Sequence, residues 1–572
     1  MSERREQPEA AQALYEADPY EYGDARKLME ELELAEPIAI TLVRRGHRTP
    51  ERARSFLEAA ERHDPGLFRG IDDAVGLITL ALDAGSRITV HGDYDVDGIS
   101  ATAILVSALR RAGGECDWLI PDRTADGYGL SPQTVEGLAE RGTELLITAD
   151  CGITSVEEVA LATELGLEVI VTDHHRPGEQ LPACPIVHPE VSEYPFDGLC
   201  GAAVAHKLVE RLEDSLATAG GAVERAGNDL DLVALATVAD MVPLVDENRT
   251  LAREGIAELR RARRPGIRAL LEVSGVEPEH LDEGDIAFRV APRINAAGRL
   301  YRADAGVELM LTADGERAAE IAKELDAANG ERRTVEREVS NGANAALREL
   351  PEELREAPGL VLAGEGWHPG VVGIAASRIV ERHGRPAVLL SIEGDRAKGS
   401  GRSVPGFDLL AALAECSPLL DRYGGHRAAA GVELDAARVD DFREAFAKAA
   451  AVQLPAGSAE TAERIDAVVG AEALDHDLAE QLGTLGPFGQ GNPEVRLLVP
   501  WARVGDVRTM GEEGRHARFS VSSGPAKAAG VAFNANGALS RAQEVPSDLT
   551  VRLELNRWNG AVEPRAVLQS SR

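Results

Sequence analysis

Aspartates and histidines recur in this chain just beyond apolar runs, a placement that suits metal-assisted chemistry on phosphate. Arg87-Ile-Thr-Val90 leads into His91-Gly-Asp93-Tyr-Asp95-Val-Asp97-Gly98, and Glu144-Leu-Leu-Ile-Thr148 leads into Ala149-Asp150-Cys-Gly152. Leu167-Glu-Val-Ile-Val-Thr172 leads into Asp173-His174-His175, and a fourth acid, Asp240, follows the apolar stretch 232–239. The spacing of His91, Asp95 and Asp97 puts alternate side chains of one loop on a single side. Two ions about 3.5–4 Å apart need a bridging carboxylate, and Asp150 is the natural candidate. His174 adds a nitrogen and Asp240 a terminal oxygen, which leaves His175 to meet a phosphoryl oxygen. Such a pair would activate water and neutralise charge at phosphorus. Mixed imidazole and carboxylate donors favour Mn²⁺ over Mg²⁺, which prefers oxygen and retained water. Blander readings exist residue by residue: Asp93 or Asp97 alone would cap a helix, and a lone buried histidine is usually structural. Seven such residues at four strand ends outweigh them.

The elements that must gather these groups are legible in the pattern. Residues 1–74 read as a polar helical region without identifiable chemistry. From 75 to 250, short β-rich runs alternate with helical stretches, the mark of βαβ units and a parallel sheet, whose ligands bind beyond the carboxyl ends of the strands. Residues 251–350 read as a helical connector. Its end, 314–350, carries Ile321, Leu325, Ala328, Val335, Val339, Ala346 and Leu350 at helical spacing and predicts one long amphipathic helix joining two lobes; Gly330 and Gly342 weaken it locally. A second, smaller α/β unit spans 356–452, with strands near 359–363 and 386–391. Pro455-Ala-Gly-Ser458 marks a linker, and residues 460–572 alternate with period two, as in a small OB-like β-barrel.

Composition bounds the rest. The 572 residues suggest three or four domains, and 44% hydrophobic content suffices for ordinary cores. No apolar run approaches bilayer length, the polar start does not support a signal peptide, and five scattered cysteines fit neither a disulfide framework nor a zinc ribbon. The expectation is a cytoplasmic protein without a membrane partner. A net charge of −35 would ordinarily argue against nucleic acid. Only six of the 61 basic residues are lysine, however, and 55 are arginine. A carboxylate-rich, lysine-poor surface resembles that of proteins from extreme halophiles, where the acidic coat answers to the solvent. Contacts to nucleic acid would then rest on metals, arginine forks and stacking.

The motif His91-Gly-Asp-Tyr-Asp-Val-Asp-Gly98, with Ala149-Asp150-Cys-Gly152, Asp173-His-His175 and Val238-Ala-Asp240-Met-Val-Pro243, resembles the four motifs of the DHH phosphoesterase superfamily. Further stretches resemble its RecJ branch of single-strand-specific exonucleases, here of a halophilic archaeal type. They are Ile120-Pro-Asp-Arg123 with Gly127-Tyr-Gly129, Leu199-Cys-Gly-Ala202, Pro292-Arg-Ile-Asn-Ala-Ala-Gly-Arg299, Gly399-Ser-Gly-Arg-Ser403, Gly424-Gly-His426 with Ala430-Gly431, and Gly486-Pro-Phe-Gly489 with Gly491-Asn-Pro493. The resemblance implies that His91, Asp95 and Asp150 hold one metal and Asp97, Asp150, His174 and Asp240 the second. Asp93 and Asp173 would orient these ligands, and His175 would touch the scissile phosphate. It also implies a 5′-phosphate pocket at Ser400 and Arg402, helped by Arg293 or Arg299, with Asn295, Gly424, Gly425 and His426 beside the substrate. A surface salt bridge is the plain alternative for Arg402. Trp367-His368 offers either base stacking or packing against a strand.

The activity that the resemblance implies is that of a 5′→3′ exonuclease degrading single-stranded DNA to 5′-mononucleotides in repair or recombination. The two α/β lobes would clamp the strand and the barrel would extend the grip. A single-strand binding protein or replisome component would be the kind of protein partner. The alternatives are a DHH hydrolase of RNA or short oligonucleotides, and a non-catalytic replisome scaffold, against which the complete ligand set argues.

Overall fold

The computed structural model describes residues 14–121, 129–218, 229–300, 304–454, 462–511, 514–535, 539–558 and 560–572, with the backbone alone at 297, 299, 300, 540, 541 and 558. The supporting stretch around Asp122, Arg123, Gly127 and Tyr128 and the linker at 455–458 lie outside the described residues. The chain forms two compact units, one of residues 1–291, 303–319 and 462–572, the other of 292–302 and 320–461. Among the described residues, no helix is long and apolar enough to cross a membrane.

The first unit opens with α1 (Tyr22–Leu32), α2 (Glu36–Arg44) and α3 (Pro50–Glu58). Prolines sit in the first turns of α2 and α3, where the missing N–H is no loss, and Thr49 caps α3. The apolar face of these helices (Leu28, Ile38, Leu42, Phe56) is buried in one core with Leu482 of the helix His476–Thr484 and with Leu497, Val521 and Val551 of the C-terminal barrel. The strand Tyr15–Glu16 also pairs with Glu463–Arg464. The N-terminal region is therefore part of the barrel's own core, a long-range partnership that a local pattern cannot display.

After α4 (Ile71–Ala84) come strands β1 (Arg87–Gly92), β2 (Glu115–Leu119), β3 (Leu145–Ala149), β4 (Glu168–Thr172) and β5 (Ile186–Val187). All pair in parallel, in the order β2-β1-β3-β4-β5. Successive connections leave β1 in opposite directions, and the crevice of such a sheet opens at that reversal. Helices α5 (Val96–Arg111), α6 (Pro132–Glu140) and α7 (Val156–Glu164) are the crossovers, followed by α8 (Gly201–Thr218), α9 (Leu230–Ala239) and α10 (Asp246–Arg261). One expectation is corrected here: the run before Asp240 is helix α9, not a strand. Residues 231–238 are all buried, and a fully buried run has no periodicity to separate helix from strand.

Helix α11 (Gly315–Glu349) is the long amphipathic helix, 35 residues without a break. In the second unit, Gly342 is tolerated because the Trp367 indole packs on it: a Cβ there would lie 3.0 Å from Nε1. That unit contains β6 (Leu360–Glu365), α12 (Pro369–His383), β7 (Ala387–Glu393), β8 (Arg396–Arg402), β9 (Arg422–Gly425), β10 (Ala429–Asp435) and α13 (Val439–Gln453). Its sheet runs β9-β10-β8-β7-β6, with β6 and β7 parallel and the rest antiparallel. The barrel of the first unit contains β11 (Ala467–Val468), β12 (Leu497–Met510), β13 (His516–Ser523), β14 (Ala526–Ala532), β15 (Ser547–Trp558) and β16 (Ala561–Ser571). The order β11-β12-β13-β14-β16-β15 closes through β12 and β15.

The first turn of α10 ties the first unit together. Glu247, Asn248 and Arg249 are consecutive, and none is more than 1% exposed. Glu247 pairs with the buried Lys207 at 2.5 Å and accepts from Tyr194 Oη at 3.0 Å. Arg249 has carbonyl partners: it donates to Phe56 at 2.9 Å, Leu485 at 2.8 Å and Thr484 at 3.2 Å, and lies 3.9 Å over the Phe56 ring. Arg249→Met keeps much of the volume but removes three hydrogen bonds and the cation over the Phe56 ring. It is expected to lower unfolding free energy by roughly 3 kcal/mol, measured by denaturant titration; an unchanged midpoint would refute this stapling role.

Candidate metal centre

The strand register sets the site. Gly92 pairs with Ala149, and Ala149 with Thr172, so the residues just past these strands (Asp93, Asp150 and Asp173) stand side by side. The amide of Asp93 donates to the Ala149 carbonyl and that of Asp150 to the Thr172 carbonyl, carrying the ladder one step beyond the strands. Asp150 has φ +64°, a left-handed conformation costly for a residue with a Cβ. Space for its carboxylate depends on Gly201 at the start of α8, where a Cβ would lie 2.5 Å from Asp150 Oδ1.

Asp95 and Asp97 come from the start of α5. The capping residue is Asp95, whose Oδ1 accepts from the amides of Asp97 at 2.9 Å and Gly98 at 3.1 Å; the sequence had suggested Asp93 or Asp97. Both oxygens of Asp97 accept from the start of α8, from Gly201 N and Ala202 N at 2.7 Å each. These donors belong to the Leu199-Cys-Gly-Ala202 stretch, which carried no chemical reading in the sequence because a backbone donor leaves no residue type to recognise. Asp173 Oδ1 accepts from His174 N, His175 N and His175 Nδ1, the last at 2.8 Å, while its Oδ2 accepts from Ile153 N at 2.9 Å.

His174 is at the centre. Its Nε2 lies 3.1 Å from Asp150 Oδ1, 3.5 Å from Asp97 Oδ2 and 3.7 Å from Asp240 Oδ2. Three sets bring their ligand atoms within 4.8 Å of one another: Asp93 with Asp95 and Asp150, Asp97 with His174 and Asp240, and Asp150 with His174 and His175. The first set contains Asp93, where the resemblance implied His91. The His91 ring is fully buried, its Nδ1 3.7 Å from Cys151 Sγ.

So many carboxylates in one crevice repel one another. Burial, then the charges of Asp97, Asp95, Asp173 and Asp93, hold the Asp150 carboxyl well above the usual range. Burial with Asp97 and Asp95 pushes Asp240 up to about 8, and burial with Asp97 raises Asp95. Burial lowers His174. Burial alone would also lower His175, but its hydrogen bond to Asp173 and the charges of Asp173, Asp97 and Asp240 outweigh it, to about 9. Hard carboxylate oxygens beside imidazole nitrogens, destabilised by their own like charge, fit divalent cations.

In the second unit, Arg402 Nη1 donates to Ser400 Oγ at 2.7 Å and to the Gly401 carbonyl at 2.8 Å. Burial is what lowers its pKa. Arg402 makes no salt bridge to a carboxylate among the described residues. Gly373 of α12, which the sequence did not single out, leaves the room, since a Cβ there would be 2.9 Å from Arg402 Nη2 and 3.2 Å from Ser400 Oγ. Arg293 is ion-paired with Asp326 at 2.9 Å, and Asn295 is half-buried in the helix Ala291–Leu300; the Arg299 side chain lies outside the described residues. Gly424 and Gly425 form the exposed end of the edge strand β9. Gly425 has φ +137°, and the His426 amide closes the hairpin on Ala429 at 2.7 Å. Trp367 is 9% exposed and belongs to a core cluster, which decides for packing over base stacking. His368 caps α12 through Gly370 N.

Residues 87–237 match the DHH family N-terminal domain, 356–452 the DHHA1 domain and 465–570 the RecJ OB domain. The chain is 36% identical over 571 residues to the single-stranded-DNA-specific exonuclease RecJ of Bacillus subtilis, covering 98% of this chain and 71% of that one. The crystal structure of Thermus thermophilus RecJ in complex with Mn²⁺ has a TM-score of 0.82 at 33% identity, over 98% of this chain and 79% of that one. The Mg²⁺ complex of RecJ from the same organism gives 0.77 at 30%, over 98% and 78%. Motif, geometry and similarity along nearly the whole length agree: this chain belongs to the RecJ family of DHH phosphoesterases.

Proposed function

We propose that this chain is a metal-dependent exonuclease that degrades single-stranded DNA from the 5′ end to 5′-mononucleotides. It would act in DNA repair and recombination in the cytoplasm, beside a single-strand binding protein or replisome component. The observation that carries the reading is the convergence of Asp97, Asp150, His174 and Asp240 on one point, with Asp93 and Asp95 next to it. His91, Asp95 and Asp150 would hold one ion, and Asp97, Asp150, His174 and Asp240 the other, as the family motifs suggest; Asp93 has the geometry to join the first set. Two divalent ions, Mn²⁺ favoured and Mg²⁺ the alternative, would supply a water acidic enough to attack at neutral pH and offset charge on the phosphoryl oxygens. The chain's own groups do the remainder. Asp173 fixes the His175 ring, which would meet a phosphoryl oxygen. The amides of Gly201 and Ala202 fix Asp97.

Polarity would come from Arg402 and Ser400, a half-buried fork that suits a terminal phosphate. Arg299, Asn295, Gly424, Gly425 and His426 would line the strand, with Arg293 held by Asp326. The intact donor set speaks against a scaffold without activity.

Digestion of 5′- and 3′-labelled DNA and RNA single strands with Mn²⁺ or Mg²⁺ tests the reading. The 5′ label is expected first, as mononucleotide, from DNA; release of the 3′ label first would reject the polarity, and equal rates on RNA the sugar preference. Asp150→Ala should reduce turnover by at least about 10³-fold, because both ions would lose a shared ligand. Arg402→Ala should instead raise KM for 5′-phosphorylated strands with a smaller effect on strands lacking that phosphate. Protons compete with the ions for Asp240 and Asp150, both raised. Mn²⁺ affinity, followed by the electron paramagnetic resonance of free Mn²⁺, should therefore fall as pH drops from about 9 to about 6. A pH-independent affinity would contradict these ligands.

A further inference from the structure

The segment Gly486-Pro-Phe-Gly489-Gln-Gly-Asn-Pro493 has no part in the chemistry above, yet it is built rigidly. It links the helix His476–Thr484 to β12 as a strap closed on itself, with Gly489 N donating to Asn492 O at 2.9 Å. Asn492, 1% exposed, donates to the carbonyls of Leu485 and Pro487 at 2.8 Å each and accepts from Arg45 at 2.7 Å. Phe488 N donates to Glu283 Oε1 at 2.8 Å. A segment anchored from both sides in this way acts as a fixed surface rather than a connector.

That surface bears on the loop that carries Asp240. Leu244 N donates to the Gln490 carbonyl at 2.7 Å. A Cβ on Gly489 would lie 2.8 Å from Leu244 Cδ1, and one on Gly491, at φ +74°, would lie 3.3 Å from Pro243 Cβ. From within the domain, the fully buried Asn248 donates its amide to the carbonyls of Pro243 at 3.1 Å and Gly198 at 2.5 Å. Gly198 lies three residues before Gly201, whose amide holds Asp97. The loop does not keep its shape by local preference: Met241, directly after Asp240, has φ +58° and is 70% exposed. Its strain is held by what surrounds it.

We propose that the Gly486–Pro493 strap and Asn248 are the positioning elements of Asp240, fixing the reach of its carboxylate toward Asp97 and His174. A stretch beside the barrel, some 250 residues downstream in sequence, thus completes the Asp97, His174 and Asp240 set. The inference rests on reading that set as a metal site.

The test compares full-length Gly491→Val, Asn248→Ala and, as a control, Tyr194→Phe, which loosens the same helix turn at Glu247, away from the strap. Mn²⁺ binding is followed by isothermal titration and paramagnetic resonance, with melting temperature and steady-state cleavage alongside. Gly491→Val and Asn248→Ala are expected to weaken one of two Mn²⁺ sites roughly tenfold or more, and to lower kcat with KM for single strands little changed. Tyr194→Phe is expected to lose thermal stability while binding Mn²⁺ as the parent does. Unaltered Mn²⁺ affinity in a folded Gly491→Val protein overturns the proposal, as does an equal loss in Tyr194→Phe. Should Asn248→Ala fail to fold, Gly491→Val decides alone. A parent protein that binds two Mn²⁺ ions but cleaves no single strand would reject the nuclease reading, while the metal titrations would still judge the strap.

Discussion

The alignment of Gly92, Ala149 and Thr172 across three parallel strands is the constraint on which the centre depends. It forces Asp93, Asp150 and Asp173 into adjacent positions at the reversal of the sheet, where each strand hands its next residue to a crossover. A slip of one residue in any strand would turn its acid to the other face. The cost of this register is electrostatic. Like charges gathered in a buried crevice raise one another's affinity for protons, and a cation is the partner that turns that repulsion into binding energy. The same feature thus destabilises the empty crevice and favours the loaded one.

Backbone amides manage much of the remaining charge. Asp95 caps its own helix, Asp97 is held by the start of α8, and Asp173 gathers three amides and one imidazole. The amide donors cannot be lost by a side-chain substitution, so the carboxylates keep one orientation as the charge beside them changes. The buried triplet Glu247, Asn248 and Arg249 plays the matching part for the scaffold. Each of the three holds a different segment, including Phe56 of the N-terminal helices and Leu485 beside the barrel. Elements far apart in sequence are thereby joined in one unit.

The acidity of the chain and its family are reconciled at the level of single groups. A net charge of −35 provides no attraction for a polyanion over distance. Under the proposed function, recognition would fall to places where local geometry overrides the mean: the metal crevice, and Arg402, which has no carboxylate to neutralise it among the described residues.

Much was legible in the chain itself, because it is written in residue types and short spacings. The acidic and imidazole groups at 93–97, 150, 174–175 and 240 that the structure gathers, the parallel strands, the helix of 315–349 and the period-two barrel strands all follow from chemistry within a few residues. Tertiary structure decided what depends on distant partners. The run before Asp240 is a helix because it is buried on every side, a condition that erases periodicity. Trp367 packs instead of stacking on bases because Gly342 and Gly364 make room for it. The N-terminal helices share the barrel's core, and Gln490 reaches the Asp240 loop through a carbonyl that every residue possesses. Side-chain identity is local information, whereas burial and backbone donation are properties of the fold, and here the first named the chemistry while the second set where each group stands.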